Sequence, residues 1–309
     1  METLVDSKDT SDISNAKNAN WTWLFPVMIF IVLAIARLCY PGLGHGDDVS
    51  DGNTLVAGQN FARNGFIAMR FLPEHIPGRT SPEDPYTHVP PLSDNINGLL
   101  RATSGFDNLV LFRAFPLAIA LGGLVAFYIF LQKLTRSRSL ASFAAVGYTT
   151  QPYFLHNFDS VHQHAYSDAF LSITCLMFLL GTQREGKARL FAIGAAAIAF
   201  FLQSITAFDY IIATPIILLG VLIITQTWRC KWSWIALVSI GSAGFVGLLL
   251  HLAQNAWFFG SWSQAFADIT TAGKARLTGG NLDPTHIGFD WSQWFFACLK
   301  KTVGETRFG

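Results

Sequence analysis

The chain has 309 residues, 51% of them hydrophobic and only 13% charged, with a mean hydropathy of +0.37. Soluble domains carry about 25% charged residues, so the composition excludes an ordinary water-soluble domain and predicts an all-α, polytopic membrane protein whose first partner is the lipid bilayer. The net charge of +1 is dispersed along the chain, and without a concentrated basic face nucleic acid is not an expected partner.

Residues 1–20 are polar, rich in Ser, Asp and Asn, and read as a disordered cytoplasmic tail. They lack the basic segment of a secretory leader. The apolar run that follows is too long for one and ends in Cys39-Tyr40-Pro41-Gly42 rather than a small-residue cleavage site. It reads as a first membrane span. About seven transmembrane helices are predicted in all, over 21–40, 109–131, 140–155, 165–181, 188–203, 205–225 and 232–253. Together they form a membrane module over 21–253.

Lys and Arg set the orientation. Lys133, Arg136 and Arg138 follow the second segment, Arg184, Lys187 and Arg189 the fourth, and Arg229 and Lys231 the sixth. The alternate connections, 156–164 and the turn near Ser204, contain neither residue. The alternation predicts a cytoplasmic N-terminus, with the large first loop (41–108) and the tail (254–309) on the outer side of a plasma or bacterial inner membrane. All eight histidines then fall at or beyond the outer boundary. The four cysteines show no CxxC or zinc spacing.

The first loop opens with a GHGDDVSDGN segment holding Asp47, Asp48 and Asp51, a few residues past the first span. A carboxylate at headgroup level can act as a general base; the same segment is rich in turn formers and could equally be a solvated turn. The stretch from Asn53 to Gly65 predicts a short amphipathic juxtamembrane helix with Leu55, Val56, Phe61 and Ala62 on its apolar side and Gly65 as its C-cap. Pro90 and Pro91 predict an extended entry to a helix starting at Leu92, with His88 just before it.

Four charged residues fall inside the apolar segments: Arg37, Arg113, Asp168 and Asp209. Isolated, each arginine could snorkel to the interface. As a set near one boundary, they predict a polar cavity opening outward. Arg113 and Arg101 are the residues best suited to hold a phosphate through paired hydrogen bonds. Asp159, His162 and His164 lie close together in a connection; His-x-His could bind a metal, bind a phosphate when protonated, or cap a helix. The tail is dense in Trp and Phe, which fits interfacial helices or part of a larger outer domain.

The ordered pieces resemble a known family. They are His45 to Asp48 after one span, Asn60 to Phe66 at a helix end, Tyr86 to Leu92, and Arg113 opening the next span. This order resembles the GT-C glycosyltransferases that use lipid-phosphate sugars, of the protein O-mannosyltransferase and aminoarabinose-transferase type. The resemblance implies a seven-helix module with the first outer loop as catalytic loop. It implies a polyprenyl- or dolichyl-phosphate sugar as donor and inverting transfer to an acceptor hydroxyl of unspecified origin. It also implies an aspartate general base: Asp48 first, from its spacing to Asn60, then Asp47 and Asp51. Arg113, Arg101 and His88 are the implied donor-phosphate residues, with His162, His164 and Asp168 as polar neighbours. A divalent metal could replace some of these cations, although the sequence carries no strong metal signature. Two other classes fit the membrane composition: a transporter or flippase for a lipid-linked solute, and a non-catalytic subunit with the GT-C fold. The outward clustering of charge, the large first loop and the lack of an internal repeat favour the enzyme over the transporter.

Overall fold

The computed structural model describes residues 21–39, 48–105 and 109–278. The expectations for the N-terminal tail, for His45, Asp47, His286 and Cys298, and for the last aromatic stretch lie outside these residues. The described residues are helical, with no strand among them. In chain order the helices are α1 (Leu24–Cys39), α2 (Asp48–Asn64), α3 (Leu92–Ser104), α4 (Leu109–Thr135), α5 (Arg138–Thr150), α6 (Pro152–Asn157), α7 (Gln163–Gln183), α8 (Gly186–Ser204), α9 (Asp209–Ile224), α10 (Lys231–Phe259) and α11 (Trp262–Thr278).

Each of the seven apolar segments carries a helix. Four of them, α4, α7, α8 and α10, are long and apolar enough to cross a membrane, while α1 and α9 are apolar but shorter. The chain is therefore a membrane protein. Two predicted boundaries move for local reasons. The third segment is broken: α5 ends at Thr150, Gln151 is extended, and α6 starts at Pro152. A residue before proline is pushed out of the helical region, and the Gln151 side chain accepts the Tyr153 N–H to start the new helix. The sixth segment begins with a turn, and α9 starts only at Asp209.

The helices of residues 1–251 form one compact unit. Its apolar interior has two parts. One is built from Phe178, Leu179, Phe200, Leu218, Leu222 and Ile240 on α7 to α10. The other joins Phe30, Leu117, Leu124, Tyr128, Phe154 and Phe158 on α1, α4 and α6 and in the turn that follows α6. Where lipid offers no hydrophobic drive between helices, small residues allow backbones to close in. At Gly123 of α4 an added Cβ would lie 2.6 Å from the Ala169 Cα on α7. At Gly247 of α10 it would lie 2.0 Å from the Ser204 Oγ on α8.

Helices α2 and α3 sit between α1 and α4 in sequence and pack on each other. Gly58 faces Asn97, and Gly98 faces Phe61, with an added Cβ at Gly98 only 2.7 Å from the Phe61 Cβ. The loop between them is held by buried Met69 and Leu72, by Phe66 stacked between Phe61 and Phe71, and by polar groups. Glu74, 1% exposed, accepts the N–H groups of Ile76, Glu83 and Asp84. The Asn60 amide donates to the carbonyls of Glu74 and Ile76 at 2.8 and 2.9 Å. His251 of α10, fully buried, donates from Nε2 to the Thr87 carbonyl at 2.9 Å.

The second unit begins at Leu252. Its helix α11 exposes Trp262 and Phe266, one turn apart, and buries Ala265 between them.

Candidate functional site

The buried side of α2 is not the apolar stripe that its sequence predicts. Leu55, Val56 and Ala62 are only half-buried, whereas Asp51, Thr54, Ala57, Gly58, Asn60 and Phe61 are buried. Two residues of that face, Asp51 and Thr54, are three positions apart and share one side of the helix. They meet the connection between α6 and α7. Asp51 Oδ1 accepts from the Ser160 hydroxyl at 2.6 Å and from the His162 N–H at 3.1 Å. Thr54 Oγ1 lies 3.0 Å from His162 Nδ1.

From the other side Thr54 meets Asp94, in the first turn of α3, and hydrogen-bonds its carboxylate. Asp94 is 4% exposed, and its Oδ1 has no hydrogen-bond partner among the described residues. The same holds for the hydroxyl of Tyr166, at 1% exposure, which lies close enough to feel the charges of both Asp51 and Asp94. Asn97, one turn further along α3, donates to the Val161 carbonyl at 3.1 Å and so fixes the same connection.

Burial raises both carboxyls. Asp51 is pushed up to about 6, against the opposing pull of its hydrogen bonds from Ser160 and His162; Asp159 nearby raises it further and Arg113 lowers it. Asp94 is pushed up to about 7 by burial, with the Thr54 hydroxyl opposing.

Arg113 of α4 is itself buried and donates from Nη1 to Asp159 Oδ2 at 3.0 Å. Arg37, in the last turn of α1, approaches Asp159 Oδ1 from the other side at 3.8 Å. Its Nη2 donates to the Leu155 carbonyl. Two guanidinium groups thus share one buried carboxylate, and this cluster lies beside Asp51, where Asp159 raises the carboxyl and Arg113 opposes it. Arginine is suited to this, because it stays charged when buried and holds a carboxylate in a fixed geometry.

The predicted site residues separate into groups. Asp51, Arg113 and His162 come together; Asp159, Arg37, Thr54 and Asp94 complete the set. Asp48, ranked first among the aspartates, is exposed at the start of α2, and Asp47 lies outside the described residues. The buried carboxylate is Asp51, because the helix begins at Asp48 and only the next turn reaches the interior. Arg101 lies over the Phe112 ring, 5.0 Å from its centroid, and His88 packs edge-on against Tyr86. His164 and Asp168 belong to a neighbouring polar group. His164 Nδ1 is 3.0 Å from the Tyr153 hydroxyl, and Asp168 accepts from the hydroxyls of Tyr210 at 2.6 Å and Tyr148 at 3.2 Å. The rings of His162 and His164 are 6.0 Å apart and join the two groups.

Thr54, Asp94 and Tyr166 were not visible as site residues. The signal for Thr54 was its position one turn after Asp51. Asp94 follows Ser93 at the start of a helix, a pattern that ordinarily marks a solvated first turn. Among the described residues no group of three or more His, Cys, Asp or Glu side chains is placed to hold a metal ion.

The chain matches no protein-family model, no curated protein and no solved structure.

Proposed function

We propose that the chain is a membrane glycosyltransferase. It moves a sugar from a polyprenyl- or dolichyl-phosphate donor to an acceptor hydroxyl with inversion. It works from a seven-span module over 21–253 whose N-terminus is cytoplasmic and whose polar site opens to the outer face. The observation that carries the reading is the placement of the buried Asp51 carboxylate beside the Arg37–Asp159–Arg113 cluster. A carboxyl raised toward neutrality is tuned for general base work. Adjacent cations, Arg113 buried and Arg37 partly exposed, suit a phosphate leaving group.

In this reaction the acceptor oxygen attacks the anomeric carbon, and the bond from that carbon to the phosphate oxygen breaks with its electron pair. The hydroxyl proton passes to Asp51. The lipid phosphate leaves with added negative charge, which Arg113 and Arg37 stabilise. Asp51 replaces Asp48 as the base because it is the buried one. A transporter would need its charges distributed along the translocation path. Here the end of α1, the starts of α2, α3, α4 and α7, and the α6–α7 connection bring them to one place.

The test is transfer of radiolabelled sugar from a lipid-phosphate donor by the full chain in bilayer vesicles. Asp51→Asn is expected to lower the rate about 10²- to 10⁴-fold, the range for a positioned base, while Asp48→Asn stays within a few-fold of the unsubstituted protein. Full activity in Asp51→Asn would overturn the assignment. Absence of transfer by the unsubstituted protein from every lipid-phosphate sugar would overturn the reading itself.

A further inference from the structure

The Thr54 hydroxyl stands between two titratable groups, and its chemistry restricts what they can do. A hydroxyl has one proton to donate and lone pairs to accept with. Thr54 is fully buried, so no solvent competes for that proton. On one side is the Asp94 carboxylate, which when ionised can only accept. On the other, at 3.0 Å, is His162 Nδ1, which donates or accepts according to tautomer. If Thr54 gives its proton to Asp94, it can only accept from His162.

We infer that Asp94 acts through the Thr54 hydroxyl to set the tautomer of His162: with Asp94 ionised, the ring carries its proton on Nδ1 and keeps Nε2 unprotonated. Protonation of Asp94 reverses the chain. Asp94 then donates to Thr54, Thr54 donates to Nδ1, and the ring proton sits on Nε2. The half-buried ring is the only member of the three that reaches toward solvent, with Thr54 at 0% and Asp94 at 4% exposure. The charged and titratable groups facing this space from other elements are Asp51 on α2, Arg113 on α4, Asp159 and His164 on either side of His162, and Tyr166 on α7.

The main chain and the side chain of His162 thus serve different aspartates. Its N–H holds Asp51, while its ring is oriented by Asp94. Asp94 and Thr54 are positioning residues. Only the use of the relay rests on the transferase reading: there, Nε2 is a second proton acceptor beside Asp51.

The test is ¹⁵N spectroscopy of the full chain, histidine-labelled and held in lipid nanodiscs, with the His162 signal assigned by its loss in His162→Gln. At about pH 8.5, well above the ordinary carboxyl range, the expected form is Nδ1–H. Thr54→Val, which removes the hydroxyl and keeps the shape, is expected to shift the ring to Nε2–H, and Thr54→Ser to keep Nδ1–H. A charged ring or an Nε2–H ring in the unsubstituted protein overturns the inference without any variant needing to fold. So does an Nδ1–H ring in Thr54→Val, or an Nε2–H ring in Thr54→Ser. In the transfer assay Thr54→Val is expected to lower kcat about 10- to 100-fold with KM unchanged, and Thr54→Ser to recover it. The spectroscopic result stands whether or not transfer is observed, so failure of the relay and failure of the transferase reading are distinct outcomes.

Discussion

Replacing Asp51 by asparagine is expected to stabilise the protein at alkaline pH. The Asp51 carboxyl ionises at about 6 in the folded protein, against the ordinary 3.8. The difference corresponds to about 3 kcal/mol by which folding disfavours the charged form. A carboxyl raised in this way contributes stability that is fully present below about 3.8 and is lost as pH rises through about 6. At pH 8 the unsubstituted protein therefore bears the whole cost, and an uncharged side chain of the same shape does not. Asparagine also keeps an oxygen to accept from the Ser160 hydroxyl and the His162 N–H. The expected gain is thus up to about 3 kcal/mol at pH 8, shrinking toward zero near pH 4. Thermal unfolding of both proteins in the same detergent, across that pH range, reads the difference directly. Contributions from other groups, Asp94 included, are shared by the two proteins and cancel to first order. A variant that is less stable than the unsubstituted protein at pH 8, or a difference that does not change with pH, would show that Asp51 serves as a structural acceptor and would refute the argument.

Other substitutions probe the frame that holds this carboxyl. Asp159→Ala leaves Arg113 and Arg37 without their shared counter-ion and is expected to cost about 3–5 kcal/mol in detergent unfolding; adding Arg113→Met should recover much of it. Gly123→Val drives a side chain into the Ala169 backbone, which cannot move aside, and is expected to cost about 1–3 kcal/mol in the same measurement. Glu74→Gln offers one accepting oxygen where three N–H groups converge. It is expected to cost about 1–3 kcal/mol and to open residues 65–91 to limited proteolysis without altering the rest of the digest.

Much of the helical frame was legible because hydrophobic runs and their punctuation act locally. Apolar segments of membrane length carried helices, Gly65 ends α2 with a φ of +85°, and the Pro90–Pro91 pair stands directly before α3. The break at Gln151 is legible from Pro152 and the polar Thr149–Thr150–Gln151 before it, although apolar residues on both sides let the segment read as one span. The site was harder to read. Asp48 and Asp51 have the same chemistry, and which of them is buried depends on where α2 begins, a matter of one helical turn. The apolar stripe on α2 misled because its real partner is α3, approached through Gly58 and Gly98, so that small and polar residues face inward. Arg113 is legible as a charge inside an apolar segment, but its carboxylate partner lies 46 residues away and only the fold brings them together. Asp94 and Tyr166 carry no sequence signal of their own, and Thr54 only its place one turn after Asp51; all three matter by juxtaposition.

The shared carboxylate Asp159 also bears on how the chain is made. Arg37 closes α1 and reaches the Leu155 carbonyl, 118 residues later in the chain, and Asp159 just beyond it. At about 5–20 residues per second, synthesis leaves roughly 6 to 24 seconds between the two. For that interval Arg37 is made without this carboxylate, and Arg113 is made before the acid as well. A guanidinium at a helix end can wait in the headgroup layer, where water serves it. The cluster cannot form until Asp159 has been made, so its last-made member sets the earliest time at which Arg37 and Arg113 reach the geometry they hold in the folded protein.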